Sequence, residues 1–183
     1  DRDIASSYRK LAINDEEITA EFIAKAKKAG IFVVPTAAVV SNVSGANTTN
    51  TVMGDENLKA FLNGENRSNL VRTFPQRSGM QGTWEKLQFN IRKLSEAGIP
   101  ILAGTDAPNP GTVHGASLHH ELRLLTQCGL TNLQALAAAT SMPAEHFKLA
   151  DRGRIEVGLR ADLILLDGDP TVDIATVGKI VSV

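Results

Sequence analysis

Residues 101–108 read ILAGTDAP: Ile101, Leu102 and Ala103 are apolar on both alternations, Gly104 and Thr105 follow, and a carboxylate, Asp106, arrives just ahead of Ala107-Pro108. A short apolar run bounded by turn residues is the pattern of a strand buried on two faces. A charge at its end is costly unless it has a task there, either satisfying backbone donors in a turn or meeting a ligand. Upstream, Thr83, Trp84, Leu87, Ile91 and Leu94 recur at helical spacing and stop at Ala97-Gly98, so a helix leads straight into this strand.

The same succession occurs once before. NDEEITAEFIAKAKKAG, from Asn14, carries an Asn cap, acids in its first turn, Ile18, Phe22 and Ala26 on one face, and lysines before Gly30. IFVVPTAAVV, residues 31–40, follows as a second two-face-buried strand, with Pro35 marking its end or a kink. Helix, glycine and buried strand occurring twice predicts βα units on a parallel sheet, an α/β fold. Between the two units, residues 41–82 are rich in Asn, Ser, Thr and Gly, with a short helix expected at ENLKAFLN; a connection of this length is a functional lid or an insertion.

After Asp106 the chain predicts the loop APNPGTVHGA, a helix from about Ser117 to Gly129, a capping box at Thr131 and Gln134 that opens an Ala-rich helix, and a short helix after Pro143. The last residues differ in kind. Arg154–Gly158, Ala161–Leu166 and Lys179–Val183 read as short strands, the clearest turn being Asp167-Gly168-Asp169-Pro170. Strands so few cannot bury both faces, so a partner sheet is expected from elsewhere.

Composition narrows the chemistry. With 183 residues, 43% hydrophobic, 21% charged and a net charge of −1, the chain is an ordinary globular one without the basic field that nucleic acid requires. No apolar run is long enough for a membrane span. The single cysteine, Cys128, excludes an internal disulfide, reads as a core thiol at a helix end, and favours a reducing, cytoplasmic compartment. Asp1 stands where a native start would have Met, so the chain is expected to begin at a processing or truncation boundary.

Asp106 is the first candidate: at the carboxyl end of a parallel strand it is either a metal ligand and general base or a turn cap. His114, in the loop behind it, faces a substrate or a metal. His119 and His120 open the next helix, whose apolar face is carried by Leu118, Leu122 and Leu125, and read as solvent-facing; His146, near a helix start after Pro143, is not taken as a site residue. The spacing of Asp106 and the histidines matches no strong zinc pattern, and no G-x-S-x-G, GxGxxG or Walker sequence is present.

Taken together, GIPILAGTDAP, HGASLHHELRLLTQCGLTNLQALAAATSMPA and DRGRIEVGLRADLILLDGDPTVDI resemble the C-terminal part of the amidohydrolase superfamily of metal-dependent hydrolases, nearest its imidazolonepropionase-like and Xaa-Pro dipeptidase-like branch. The resemblance is strong from Ile99 to Val183 and looser over Ile31–Thr36. It implies that the strands holding Val33–Thr36 and Ile101–Thr105 are the seventh and eighth of a (β/α)8 TIM-like barrel, with residues 1–150 a partial barrel and 151–183 the C-terminal strands of a small composite β domain. It also implies that Asp106 binds a catalytic divalent metal, zinc in this reading, and moves a proton from the activated water to the leaving group. His114 and the 41–82 segment would line the pocket of a small-molecule substrate, an amide, a dipeptide or a cyclic amide. A homo-oligomer is left open.

The family's remaining metal ligands have no counterpart here, and one aspartate cannot hold zinc, so this chain is expected to be inactive by itself. The competing expectation is a non-catalytic α/β binding module completed by a partner chain.

Overall fold

The structure is a computed structural model that describes residues 18–46, 51–75 and 82–183. Its helices are α1 (Ala20–Ala29), α2 (Ala37–Val43), α3 (Thr51–Gly54), α4 (Glu56–Lys59), α5 (Gly64–Leu70), α6 (Thr83–Glu96), α7 (Ala116–Gln127), α8 (Asn132–Ala139) and α9 (Ser141–His146). The strands are β1 (Leu165–Leu166) and β2 (Ile180–Ser182), with a 3-10 helix at Ile174–Gly178 between them.

The two stretches singled out above lie side by side. Val33 and Ile101 form a parallel bridge: Val33 N–H donates to the Pro100 carbonyl at 2.9 Å and Leu102 N–H to the Val33 carbonyl at 2.8 Å. Close approach is why residue 104 is glycine, because a Cβ there would stand 2.5 Å from Val34 Cγ1. Both stretches are shorter than the sequence suggests. The first stops at Thr36, which takes φ 48°, and AAVV continues as the start of α2 instead of strand. Pro35 has no N–H to extend the ladder, and the left-handed turn redirects the chain. On the other side of the second stretch, Ala103 N–H donates at 2.8 Å to the carbonyl of Ala138, so the end of α8 takes a backbone donor that a further strand would use.

Helices follow their sequence signals closely. Thr19 caps α1 by accepting from Phe22 N–H, Glu21 sits in the first turn, Lys27 and Lys28 in the last, and Gly30 ends it with φ 62°. The expected Asn14 cap lies outside the described residues, but the helix expected to run on through Ile18 begins only at Ala20, because Thr19 is extended and its hydroxyl caps the first turn. The Thr131–Gln134 capping box forms as expected. Helix α9 starts at Ser141 rather than after Pro143, because a proline in a first turn displaces no intrahelical hydrogen bond.

The main core gathers Trp84, Ile91 and Leu94 of α6, Ile99 and Ile101, Leu122, Leu124 and Leu125 of α7, Cys128, and Ala135 and Ala138 of α8. Each such Leu or Ile contributes about 1.5–3 kcal/mol relative to an exposed one. A second cluster joins Val52, Leu58, Leu62 and Leu70 to Val113. The described part of the 41–82 segment is therefore built of short helices with a core of its own, seated on the loop after Asp106.

At the C-terminus β1 and β2 pair antiparallel, Leu165 opposite Ser182 and Leu166 opposite Ile180. The strand expected at Arg154–Gly158 does not form. Leu159 N–H closes a turn on the Glu156 carbonyl and Arg160 N–H reaches the Asp151 carbonyl, while Ile155 and Val157 are 88% and 102% exposed. No neighbouring strand among the described residues pairs with this stretch. None of the described helices is long and apolar enough to cross a membrane.

Candidate functional site

The parallel pair ends, on one side, in two non-glycine residues with left-handed backbone, Thr36 with φ 48° and Asp106 with φ 51°. Such residues are uncommon, and Asp is among the few that adopt this region readily. Asp106 turns the chain out of its buried stretch and leaves its carboxylate exposed, with no hydrogen bond or ion pair to another described side chain. Its backbone is held. The Asp106 carbonyl accepts from Asn109 Nδ2 at 2.6 Å. The turn-cap reading offered by the sequence thus belongs to the Asp106 carbonyl and Asn109, and not to the carboxylate.

The loop that follows is fastened from two sides. Val113 N–H donates to Ser117 Oγ of α7 at 2.8 Å, and the Val113 side chain is buried among Val52, Leu58, Leu62 and Leu70. His114 comes next and is exposed, its carbonyl accepting from Ala116 N–H at 2.9 Å. Asn69 of α5 reaches across, donating from Nδ2 to the carbonyls of Asn109 at 3.0 Å and Thr112 at 2.6 Å, while its own carbonyl accepts from Gly111 N–H at 2.9 Å. Asn42 of α2 performs a similar task for residues 72–74, donating to the Arg72 carbonyl and accepting from Phe74 N–H, both at 3.1 Å.

Glu121 is the residue whose role the sequence reading missed. It is fully buried, and its carboxylate accepts from Ala37 N–H at 2.9 Å through Oε1 and from Ala38 N–H at 2.7 Å through Oε2. These are donors at the start of α2 that have no partner within that helix, and the negative charge also suits the helix N-terminus. Burial pushes the Glu121 carboxyl up to about 7, against the opposite pull of the two backbone donors. A signal was present: Ser117, Glu121, Leu124, Leu125 and Cys128 share one buried stripe of α7 and its end, so Glu121 is a carboxylate on an apolar face.

The paired histidines also depart from expectation. His120 is buried rather than solvent-facing, and burial followed by the nearby Arg123 charge holds it down to about 4. His119 is half-buried, its pKa is lowered by burial, and its Nδ1 has no hydrogen-bond partner among the described residues. The cause lies in what packs over α7. Asp55, the N-cap of α4, approaches Arg123 at 3.5 Å, and Arg123 also donates to the Ala175 carbonyl at 3.4 Å, so the insertion and the C-terminal segment both cover this face.

As a test of metal binding, the donor set is small. Among the described residues no three His, Cys, Asp or Glu side chains come together in a way that could hold a metal ion. Asp106 fits as a single oxygen ligand, exposed at the end of its stretch and not engaged elsewhere. One carboxylate is fewer than the four ligands a zinc ion usually takes.

A family model described as "Amidohydrolase family" matches residues 20–183. Among curated proteins, the imidazolonepropionase of Deinococcus deserti is 39% identical over 85 residues, which is 46% of this chain and 21% of that protein. The adenine deaminase of Methanothrix thermoacetophila is 33% identical over 80 residues, 43% of this chain and 14% of that one. A crystal structure of a Xaa-Pro dipeptidase with bound methionine in its active site superposes with a TM-score of 0.65 at 23% identity, covering 88% of this chain and 35% of that one, which is a likeness of fold. The chain spans about a fifth of the length of the curated imidazolonepropionases it matches.

Proposed function

The chain belongs to the amidohydrolase family, and from that premise we propose that it is the C-terminal portion of a metal-dependent hydrolase acting on an amide, peptide or cyclic C–N bond. In this reading Val33–Thr36 and Ile101–Thr105 are the seventh and eighth strands of a (β/α)8 barrel, and residues 151–183 contribute strands to a small composite β domain. The parallel bridge at Val33 and Ile101 supports the first assignment, and the exposed Ile155, Val157, Ile164 and Val181 side chains support a covering sheet for the second. In barrels of this kind the chemistry gathers where the strands end.

The observation that carries the reading is Asp106 itself: a left-handed residue at the exit of a buried parallel stretch, with its carbonyl fastened and its carboxylate exposed. Asp106 would ligate a divalent metal, zinc in our reading, together with donors from the rest of the protein. Such a metal supplies Lewis acidity that makes water a nucleophile at neutral pH and polarises the scissile carbonyl. Asp106 Oδ takes the proton released by the attacking water and returns it to the departing nitrogen, the role of a general base that then acts as acid. His114 and helices α3–α5 line the pocket for a small-molecule substrate.

Replacing Asp106 by Asn in the full-length protein tests this. The variant keeps the side-chain shape and the backbone turn but cannot hold the proton, so turnover falls by about 100-fold or more while the folded state is retained. Turnover close to the parent's removes Asp106 from the chemistry. A competing reading is a non-catalytic module completed by a partner chain; among the described residues no three His, Cys, Asp or Glu side chains come together to hold a metal ion. Metal content separates the two, since the module needs none.

A further inference from the structure

We infer that Asn69 and Asn109 are positioning residues for Asp106, so that the insertion holding α3–α5 sets the geometry of the carboxylate without touching it. The inference rests on the proposed role of Asp106. Its grounds are a continuous chain of hydrogen bonds. Asn69 Nδ2 donates to the Asn109 carbonyl at 3.0 Å, and Asn109 Nδ2 donates to the Asp106 carbonyl at 2.6 Å. Thr112, fully buried, adds its own N–H at 2.9 Å and its hydroxyl at 3.0 Å to the same Asn109 carbonyl. The Asn109 backbone therefore has little freedom to move, and its side chain fixes the one backbone group through which Asp106 is held.

Three features make this more than loop packing. Asp106 occupies a left-handed conformation with φ 51°, a region that Asp adopts more readily than most residues, and the Asn109 amide on its carbonyl holds that turn in place. The exposed carboxylate has no side-chain partner among the described residues, so the backbone fixes only the point from which the side chain departs, and that point is what the Asn109 amide holds. Asn69, finally, lies on α5, whose Leu70 anchors in the cluster around Val113, so the amide that grips the loop is itself held at a packed element. Asn42 completes the fastening by tying residues 72–74 to α2, the helix that Glu121 clamps.

The chemistry that follows is that of an outer shell. Groups that orient a metal ligand change metal affinity and turnover by about 10–100-fold when removed, though they touch neither metal nor substrate. A substrate-dependent shift of the insertion would reach Asp106 along the same path.

The test is a double-mutant cycle in zinc affinity, measured on the full-length protein by competition with a chelator and joined to steady-state kinetics. Asn69→Ala and Asn109→Ala should each weaken zinc binding about tenfold or more and lower kcat by a similar factor, with KM changed less than about threefold. In an Asp106→Ala background neither should weaken zinc further, because the group they position is gone. Asn109→Ala removes only the last link of the chain, so it carries the cycle if Asn69→Ala does not fold. Unchanged zinc affinity in Asp106→Ala defeats the reading of Asp106 as a ligand. Loss of zinc in Asp106→Ala, combined with parent-like affinity in both Asn variants, overturns the positioning role alone. Equal weakening with and without Asp106 also overturns it, since that is the signature of general damage to the loop.

Discussion

Glu121 offers the sharpest test of how this fold is held together. Its carboxylate satisfies two buried donors at the start of α2, Ala37 N–H at 2.9 Å and Ala38 N–H at 2.7 Å. Glu121→Ala strands both, at about 1–3 kcal/mol each, so the expected loss is about 2–6 kcal/mol at pH 5. A second variant isolates the charge. Burial raises the carboxyl from 4.5 to about 7, so between those values the folded state holds a proton that the unfolded state has released. The contribution of this group to stability is then complete below pH 4.5 and is lost as pH rises through 7. Across 2.5 pH units at 1.36 kcal/mol each, the loss is about 3 kcal/mol.

Glu121→Gln resembles the protonated acid and does not titrate, so its stability relative to the parent should climb by about 3 kcal/mol from pH 4.5 to 7, whatever its starting offset. His120, held down to about 4, acts in the opposite sense below its ordinary 6.5, but it is common to both proteins and cancels in the difference. Urea unfolding followed by circular dichroism supplies the curves, and hydrogen exchange of a peptide over residues 35–44 reports the clamp directly. A flat difference curve would show that the helix N-terminus outweighs burial and keeps Glu121 ionised. Parent-like protection of Ala37 and Ala38 in the Ala variant would refute the clamp itself.

Two further outcomes are expected. Gly104→Ala places a Cβ 2.5 Å from Val34 Cγ1, which should cost about 1–3 kcal/mol by thermal unfolding and be relieved by Val34→Ala; an additive double variant would show that the two stretches are not in tight contact. Cys128 is fully buried and its thiol is pushed up to about 12, first by burial, so at pH 8 only about one part in ten thousand is thiolate and a disulfide reagent should react with it only after unfolding. Fast labelling of the folded protein would contradict the placement of Cys128 in the core.

The legibility of the sequence followed the range of the forces involved. Helix signals are local, and the Thr131–Gln134 box, the Gly30 stop and the Trp84–Leu94 face all appear where the residues put them. Extended segments depend on what lies beside them, and here the reading was too generous. AAVV after Pro35 became helix because Thr36 turned and Glu121, 84 residues away from Ala37, supplied its acceptors. Arg154–Gly158 has the alternation of a strand but no neighbour to pair with among the described residues. At the site, Asp106 and His114 were singled out by position in sequence, and both emerge exposed on the same short loop. Asn42, Asn69 and Asn109 left no trace beyond composition, because an amide that bridges two segments carries no period or motif.

The burial of His120 and Glu121 and the packing of α7 have one physical origin. This helix is the reference to which every other part of the site is fixed. Through Ser117 Oγ it holds the start of the turn at Val113, and through Glu121 it holds the first residues of α2. Through Arg123 it meets Asp55 of the insertion and the Ala175 carbonyl of the C-terminal segment. Those polar contacts face a stripe of Leu124, Leu125 and Cys128 that is almost wholly inaccessible, so α7 cannot shift to relax one contact without breaking several. A carboxylate meant to meet a metal at a fixed distance needs such a frame, because an aspartate on a loop free to move by an ångström would lose most of its effect. In the reading proposed above for Asp106, this frame is what would hold its carboxylate in place, since the contacts that fix the loop and α7 all lie within the described residues.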